Sequence, residues 1–217
     1  MNLGFHDLQA WDEALYTVRA QGILKFGGWI DQSAFAIDGL YSSLHPPLQV
    51  WLTVGLFSLL DVNEYSARIL SALAGAATLF VVAALGKRLA NSTTGLVAAL
   101  LFGLNPFVTF FARQGQFDSL LVFFLTLSAY YYIRSTEDIS FRWPVLAGFA
   151  LGAALMTKLF VALGLPLAVI AFLFMRKRPL GTVVLKQLGV SLAVAGLVAL
   201  PWHAYRTRIH ADGTPLF

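Results

Sequence analysis

YSARILSALAGAATLFVVAALGKR, residues 65–88, decides the fold. Its apolar part, residues 65–85, matches the roughly 20 positions that cross a bilayer's hydrocarbon core, and a Lys-Arg pair closes it. Comparable segments follow at residues 94–111, 117–133, 143–157, 159–175 and 183–205, several near the lower length limit. The chain as a whole is 58% hydrophobic and 12% charged, with mean hydropathy +0.73. Soluble domains carry about one-quarter charged residues, and one this apolar would expose patches that soluble monomers rarely tolerate. The expected class is an all-α polytopic membrane protein with about six transmembrane helices.

Charge orients these spans. Lys87, Arg88, Arg134, Arg142, Arg176, Lys177, Arg178 and Lys186 fall in alternate connections, which the positive-inside rule places in the cytoplasm. The other connections hold only Arg113 and Lys158 as cations. On this reading nine of the eleven carboxylates lie outside, and only Glu137 and Asp138 lie inside. The net charge of +4 therefore reflects topology and gives no reason to expect nucleic acid. Cysteine is absent, which excludes disulfides and thiolate metal sites.

Upstream of the spans, residues 6–48 read HDLQAWDEALYTVRAQGILKFGGWIDQSAFAIDGLYSSLHPPL. They hold Asp7, Asp12, Glu13, Asp31 and Asp38, five of the eleven carboxylates. Residues 12–26 read as a short amphipathic helix lying in the interface, ended by Gly27-Gly28. Residues 29–43 read as a loop. Pro46-Pro47 opens a helix to about Leu60, since proline suits a first turn. The charge scheme holds only if this second helix does not cross. Three regions result: an extracytoplasmic loop with juxtamembrane helices (1–63), a helical bundle (64–205) and the start of an outer loop (206–217). No secretory signal opens the chain, so the acidic stretch reaches the outside either behind a preceding span or by an N-terminus that crosses unaided; the expectation is the former, a chain truncated at both ends.

Four positions carry candidate chemistry. Adjacent Asp12 and Glu13 point about 100° apart on a helix, so one can face a cleft while the other caps or binds elsewhere. Asp118 begins an apolar helix, where a carboxylate is either an N-cap or a functional group; Arg113, five residues earlier, either pairs with it or serves the site. His45 has its direction set by the two prolines behind it, and either binds a phosphate or rests at the interface. Lys158 sits in a very short apolar turn, where it either snorkels or binds a lipid phosphate. No Gly-rich phosphate loop, HExxH or Cys/His cluster occurs. Carboxylates, a histidine and cations on one face suit transfer chemistry on a lipid-borne anionic substrate.

WDEALY, LHPPL, SARILSALAGAATLFVVAALGKRL and FARQGQFDSLLVFFLTLSAYYYIR, in this order, resemble the GT-C class of integral-membrane glycosyltransferases. Within that class they resemble the protein O-mannosyltransferase and aminoarabinose (lipid A) transferase superfamily, over most of residues 6–205. The resemblance implies a transmembrane helix before the DE motif and juxtamembrane helices between the first two spans. It also implies a sugar donor on a polyprenyl or dolichyl phosphate, a lipid, glycan or protein acceptor, and a site on the outer face of the plasma or inner membrane. Asp12 matches the catalytic aspartate, a general base in an inverting single displacement. Asp118 matches a second acidic catalytic position, and His45 and Lys158 match basic positions near the carrier phosphate. Glu13, Tyr16, His45, Arg113 and Lys158 form the expected substrate-binding set. Two residues depart from the aminoarabinose branch: Leu15 stands where an Arg is common, and Leu44 where a Glu is common. They put that branch's specificity in doubt and leave a divalent metal unsupported; no cofactor is expected. Two other readings use the same charges, a transporter or flippase and a non-catalytic scaffold. A transporter places paired charges or broken helices at the bilayer midplane, whereas here they cluster outside.

Overall fold

The computed structural model describes residues 3–10, 12–30, 45–138, 140–175 and 181–211. Asp31, Asp38, the expected loop beyond Ile30, and the basic residues 176–178 lie outside the described residues. Those that are described form helices and connections, with no strand.

α1 spans Asp12–Phe26, beginning with two acids in its first turn and ending with Lys25 in its last, both favourable to the helix dipole. Gly27 and Gly28 stop it at φ of 78° and 81°, a left-handed conformation that costs glycine nothing. α2, Leu48–Leu60, starts directly after Pro47. α3, Glu64–Leu89, opens on a reciprocal cap: the Asn63 side chain accepts from the Ser66 N–H at 2.9 Å, and the Ser66 hydroxyl accepts from the Asn63 N–H at 3.1 Å. At 26 residues it is about 39 Å long, enough to cross a bilayer. α10, Thr182–Ala211, contains the other helix among the described residues that is long and apolar enough to cross, over Thr182–Tyr205.

Two expected continuous segments are broken. Residues 94–111 divide into α4, Ser92–Leu104, and α5, Pro106–Phe111. Asn105 leaves the helical conformation at ψ 122° and caps the Phe107 N–H, and Pro106 supplies the next first turn. Residues 159–175 divide into α8, Leu159–Ala162, and α9, Gly164–Met175. α6, Asp118–Glu137, and α7, Arg142–Leu155, complete the bundle.

Small residues set the helix spacing. A Cβ on Gly148 of α7 would meet the Ser191 carbonyl of α10 at 2.5 Å, and one on Gly152 would meet Val198 at 2.6 Å. Gly95 of α4 lies equally close to the Ala83 carbonyl of α3. With no room for a methyl group, backbones approach closely, the expected use of GLVAALLFG and GFALGAALM. Interhelical hydrogen bonds accompany the contact: Ser128 donates to the Ala147 carbonyl and Ser191 to the Pro144 carbonyl, both at 2.9 Å. The resulting core joins Leu121, Leu151, Leu155, Ala195 and Trp202. A second core joins α1 to α2, α3 and the start of α6 through Tyr16, Ala20, Val50, Phe57, Ala67 and Phe117. Outside these cores, large side chains such as Phe80, Leu96, Leu101 and Leu197 are exposed, as lipid-facing residues are.

α3 and α6 run in the same direction, so their starts meet at one end of the bundle and their basic ends meet at the other. Arg88 pairs with Glu137 at the latter end.

Candidate active site

The DE motif divides its two carboxylates. Glu13 is fully buried and accepts from Arg68 Nε at 2.7 Å and Nη2 at 2.9 Å, from the Gly115 N–H at 2.7 Å and from the Gln9 N–H at 2.8 Å. Arg68 in turn donates to the carbonyls of Leu3, His6 and Asp7 at 2.7–3.0 Å. All five guanidinium N–H groups are thus engaged. Burial pushes the Glu13 carboxyl up, but the Arg68 guanidinium and the two backbone N–H groups outweigh it and hold it below the ordinary carboxylate value. The pair ties residues 3–9, α1, α3 and the turn before α6 together, and leaves Glu13 no atom to offer a substrate. Its position calls for a strut and departs from the expected substrate contact.

The strut places the α6 turn. Gly115 packs so tightly that a Cβ there would lie 2.9 Å from the Ala67 carbonyl. Ser71 donates to the Gln116 carbonyl at 2.9 Å. Phe117 is therefore fixed, 3% exposed, at the centre of a cluster of polar residues. Tyr16 meets its ring edge-on at 5.3 Å between centroids, and His45 stacks on it at 5.7 Å. The Lys158 ammonium lies over the same ring, 4.4 Å from its centroid, a cation–π contact. Asp118 follows directly, half-buried, within electrostatic reach of both Lys158 and Asp12. The Leu48 N–H donates to the Met156 carbonyl at 3.1 Å, joining the turn after His45 to the turn that carries Lys158.

The structure thus brings together Asp12 and Tyr16 of α1 with His45, Asp118 and Lys158, from four separate stretches of chain. Asp12, one residue from the buried Glu13, is half-buried on another side of α1. Arg113 is not in this cluster: its exposed side chain makes no ion pair with Asp118 and lines a different cavity. Sequence reasoning passed over Arg68 and Phe117. Arg68 did carry a signal, an arginine one turn inside an apolar helix, where an ionisable group needs a partner. Phe117 carried none, since nothing separates a platform phenylalanine from a core one before its neighbours are known. Among the described residues no three His, Asp or Glu side chains gather as a metal site would need.

The side chains of Asp12, Asp118 and Lys158 make no hydrogen bond or ion pair with another residue among those described. Two carboxylates and an ammonium held half-buried with no hydrogen bond or ion pair among the described residues can accept a proton on one side and neutralise an anion on the other.

An integral-membrane glycosyltransferase module of the GT-C class has this fold and this arrangement of motifs. The chain belongs to the dolichyl-phosphate-mannose-protein mannosyltransferase family, whose pattern matches residues 44–204. It is 32% identical over 205 residues to an undecaprenyl phosphate-alpha-4-amino-4-deoxy-L-arabinose arabinosyl transferase of Pseudomonas savastanoi pv. phaseolicola, covering 92% of this chain and 38% of the relative. It is 28% identical over 136 residues to the polyprenol-phosphate-mannose–protein mannosyltransferase of Corynebacterium glutamicum, covering 61% and 26%. The fold is similar to the crystal structures of ArnT from Cupriavidus metallidurans. The apo form matches with TM-score 0.77 at 20% identity, covering 97% of this chain and 40% of that one. The form bound to undecaprenyl phosphate matches with TM-score 0.74 at 23% identity. The chain therefore spans about two-fifths of the length of the arabinosyl transferase and ArnT chains and about a quarter of the Corynebacterium one.

Proposed function

We propose that this chain is the catalytic part of a glycosyltransferase that moves a sugar from a polyprenyl-phosphate carrier to an acceptor on the extracytoplasmic face of the membrane. The observation that carries this reading is the convergence of Asp12, His45, Asp118 and Lys158 around Phe117. Asp12 takes the proton of the acceptor hydroxyl while that oxygen attacks the anomeric carbon. The bond from that carbon to the phosphate oxygen breaks, and its electron pair leaves with the lipid phosphate, giving inversion. Lys158 and His45 receive the phosphate, and a fixed cation there stabilises the charge that develops on the leaving group. Asp118 orients donor or acceptor, and Tyr16 holds His45 and Phe117 in register. Where the acceptor is itself a phosphate, no base is needed and Asp12 only orients it.

Six crossings suit this reading: α3, α4 with α5, α6, α7, α8 with α9, and α10. α1 and α2 lie at the outer interface, and the exposed apolar residues Leu52, Leu59, Leu60 and Val62 of α2 and the turn after it support that place. The partners are a polyprenyl-phosphate-linked sugar, the acceptor and membrane lipids, in an inner or plasma membrane. A transporter would hold its charges at the midplane; here the cluster sits at one end, beside the starts of α3 and α6.

An Asp12→Asn variant of the full-length protein, reconstituted with a polyprenyl-phosphate sugar, should fold and lose transfer by at least about 10²-fold, the scale of a missing acid–base catalyst. Undiminished turnover would remove Asp12 from the mechanism. A scaffold would tolerate replacement of Asp12 and Asp118 together, as measured by growth.

A further inference from the structure

The Arg68–Glu13 strut separates the Phe117 cluster from a second cavity of about 540 Å³, lined by residues 3–9 on one side and by α5 and the turn after it on the other. Its size lies within the ~300–1,000 Å³ of small-molecule sites. None of Asp12, His45, Asp118 or Lys158 borders it. Arg68 contributes to the wall, but its five N–H groups are committed, so it has no donor left for a ligand.

What remains is a mixed set. The Arg113 guanidinium and the Asp7 carboxylate are exposed and form no hydrogen bond or ion pair among the described residues. Gln114 adds an amide to the wall, its Oε1 shut away from the cavity and its Nε2 the group left to face it. Gln9 adds a second amide, and Phe110, 48% exposed, adds an aromatic ring. Cation and carboxylate cancel in charge. A phosphate site would gather donors only, and the Asp7 carboxylate would repel that ligand. A site for a lipid tail would be apolar throughout. Donors and acceptors together, spread around an aromatic face, suit a neutral ligand that is rich in hydroxyls and carries C–H groups on one side.

We infer that this cavity is a saccharide subsite. It is placed to hold a sugar ring of the acceptor on the far side of the strut from the donor phosphate. Arg113 and the Gln9 and Gln114 amides donate to ring hydroxyls, Asp7 accepts from them, and Phe110 packs under the ring. The assignment of an acceptor role rests on the transferase reading; the binding of sugar does not.

Saturation-transfer NMR on the full-length protein in lauryldimethylamine oxide, a sugar-free detergent, tests the subsite. The probes are the methyl glycosides of glucose, mannose and N-acetylglucosamine, with inorganic phosphate and a serine-containing tripeptide as controls. At least one glycoside should receive saturation. Arg113→Ala should weaken its binding about tenfold or more, the worth of hydrogen bonds to a charged group, and Phe110→Ala should abolish the signal. Arg88→Ala, at the opposite end of the bundle, should leave it unchanged. Saturation of none of the three glycosides overturns the subsite. So does competition by phosphate, preference for the tripeptide, or glycoside binding that survives both Arg113→Ala and Phe110→Ala, which would place the sugar elsewhere. Turnover of the Asp12→Asn protein is a separate measurement, so the transferase reading and the saccharide subsite can fail independently.

Discussion

The two ends of the bundle treat charge in opposite ways. At the basic end Arg88, Arg134, Glu137, Asp138 and Arg142 are each answered by a neighbour. Arg88 pairs with Glu137 and lies over the Tyr130 ring at 5.5 Å, tying α3 to α6. Asp138 accepts from the Trp143 indole N–H at 2.8 Å and from Arg142 at 3.2 Å, closing the turn between α6 and α7. Arg134 and Arg142 both lie over the Trp143 ring. These contacts are local or exposed, and they satisfy one another. At the other end one ion pair is buried and fully satisfied, while Asp12, Asp118 and Lys158 stand half-buried with no hydrogen bond or ion pair among the described residues. Leaving three charges in that state costs free energy, which an approaching anion and acceptor would offset. One end closes turns; the other is shaped to be completed by something else.

The contrast breaks most readily at Arg68. Removing one partner of a buried pair strands the other charge, so Arg68→Ala should destabilise the protein by about 3–5 kcal/mol. Thermal unfolding in detergent reads this directly, and a cost under about 1 kcal/mol would show that the strut is not structural. Replacing both partners, as Glu13→Leu with Arg68→Met, leaves no buried charge and should recover most of that loss. Transfer should not recover with it, because the Gly115 N–H then loses the carboxylate that fixes the turn before α6.

Lys158 sharpens the comparison from the other side. Lys158→Met keeps the stem against Phe117 and removes the charge, so stability should change by less than about 0.5 kcal/mol. Transfer should fall about 10²–10³-fold, the usual effect of losing one stabilising group at a developing anion. An equal fall in stability would make Lys158 part of the scaffold and not of the site.

The strut also predicts acid sensitivity. The folded-state pKa of Glu13 lies below its ordinary value of 4.5, because Arg68 and the two N–H groups favour the carboxylate. The stability it contributes is fully present above the ordinary value and is lost as pH falls through the depressed folded one. Unfolding monitored from pH 6 downward should show this loss, and Glu13→Gln, already less stable at neutral pH, should show a shallower slope. Parallel slopes would assign the acid response to other carboxylates.

Local features of this molecule could be read from its sequence, and the tertiary pairings could not. α1 begins and ends where the DE acids and Gly27-Gly28 predict, and α2 follows Pro46-Pro47, because caps and prolines act within a turn of themselves. The division of labour between Asp12 and Glu13 was also legible as a consequence of helix geometry. Which carboxylate would be buried was not, since that depends on Arg68, 55 residues away. Phe117 escaped for the same reason: it is a platform only because Tyr16, His45 and Lys158 arrive there. The break at Asn105-Pro106 is a different kind of miss. An asparagine followed by a proline inside an apolar run is itself a stop and restart, and hydropathy alone smooths it over.

The smallest effect belongs to the basic end, where it tests whether pairing there matters for stability or only for topology. Arg88 and Glu137 are partly exposed, and exposed pairs of this kind contribute about 0–1 kcal/mol. Arg88→Ala, Glu137→Ala and the double variant should therefore differ from the parent by no more than about that amount, with a coupling energy near the lower end. Transfer should stay within about twofold, because these residues touch neither the Phe117 cluster nor the cavity beside it. A coupling energy above about 2 kcal/mol would mean that the pair clamps α3 to α6 across the whole bundle. In that case the basic end would set the geometry of the site at the opposite end, and the two regions would no longer be separable.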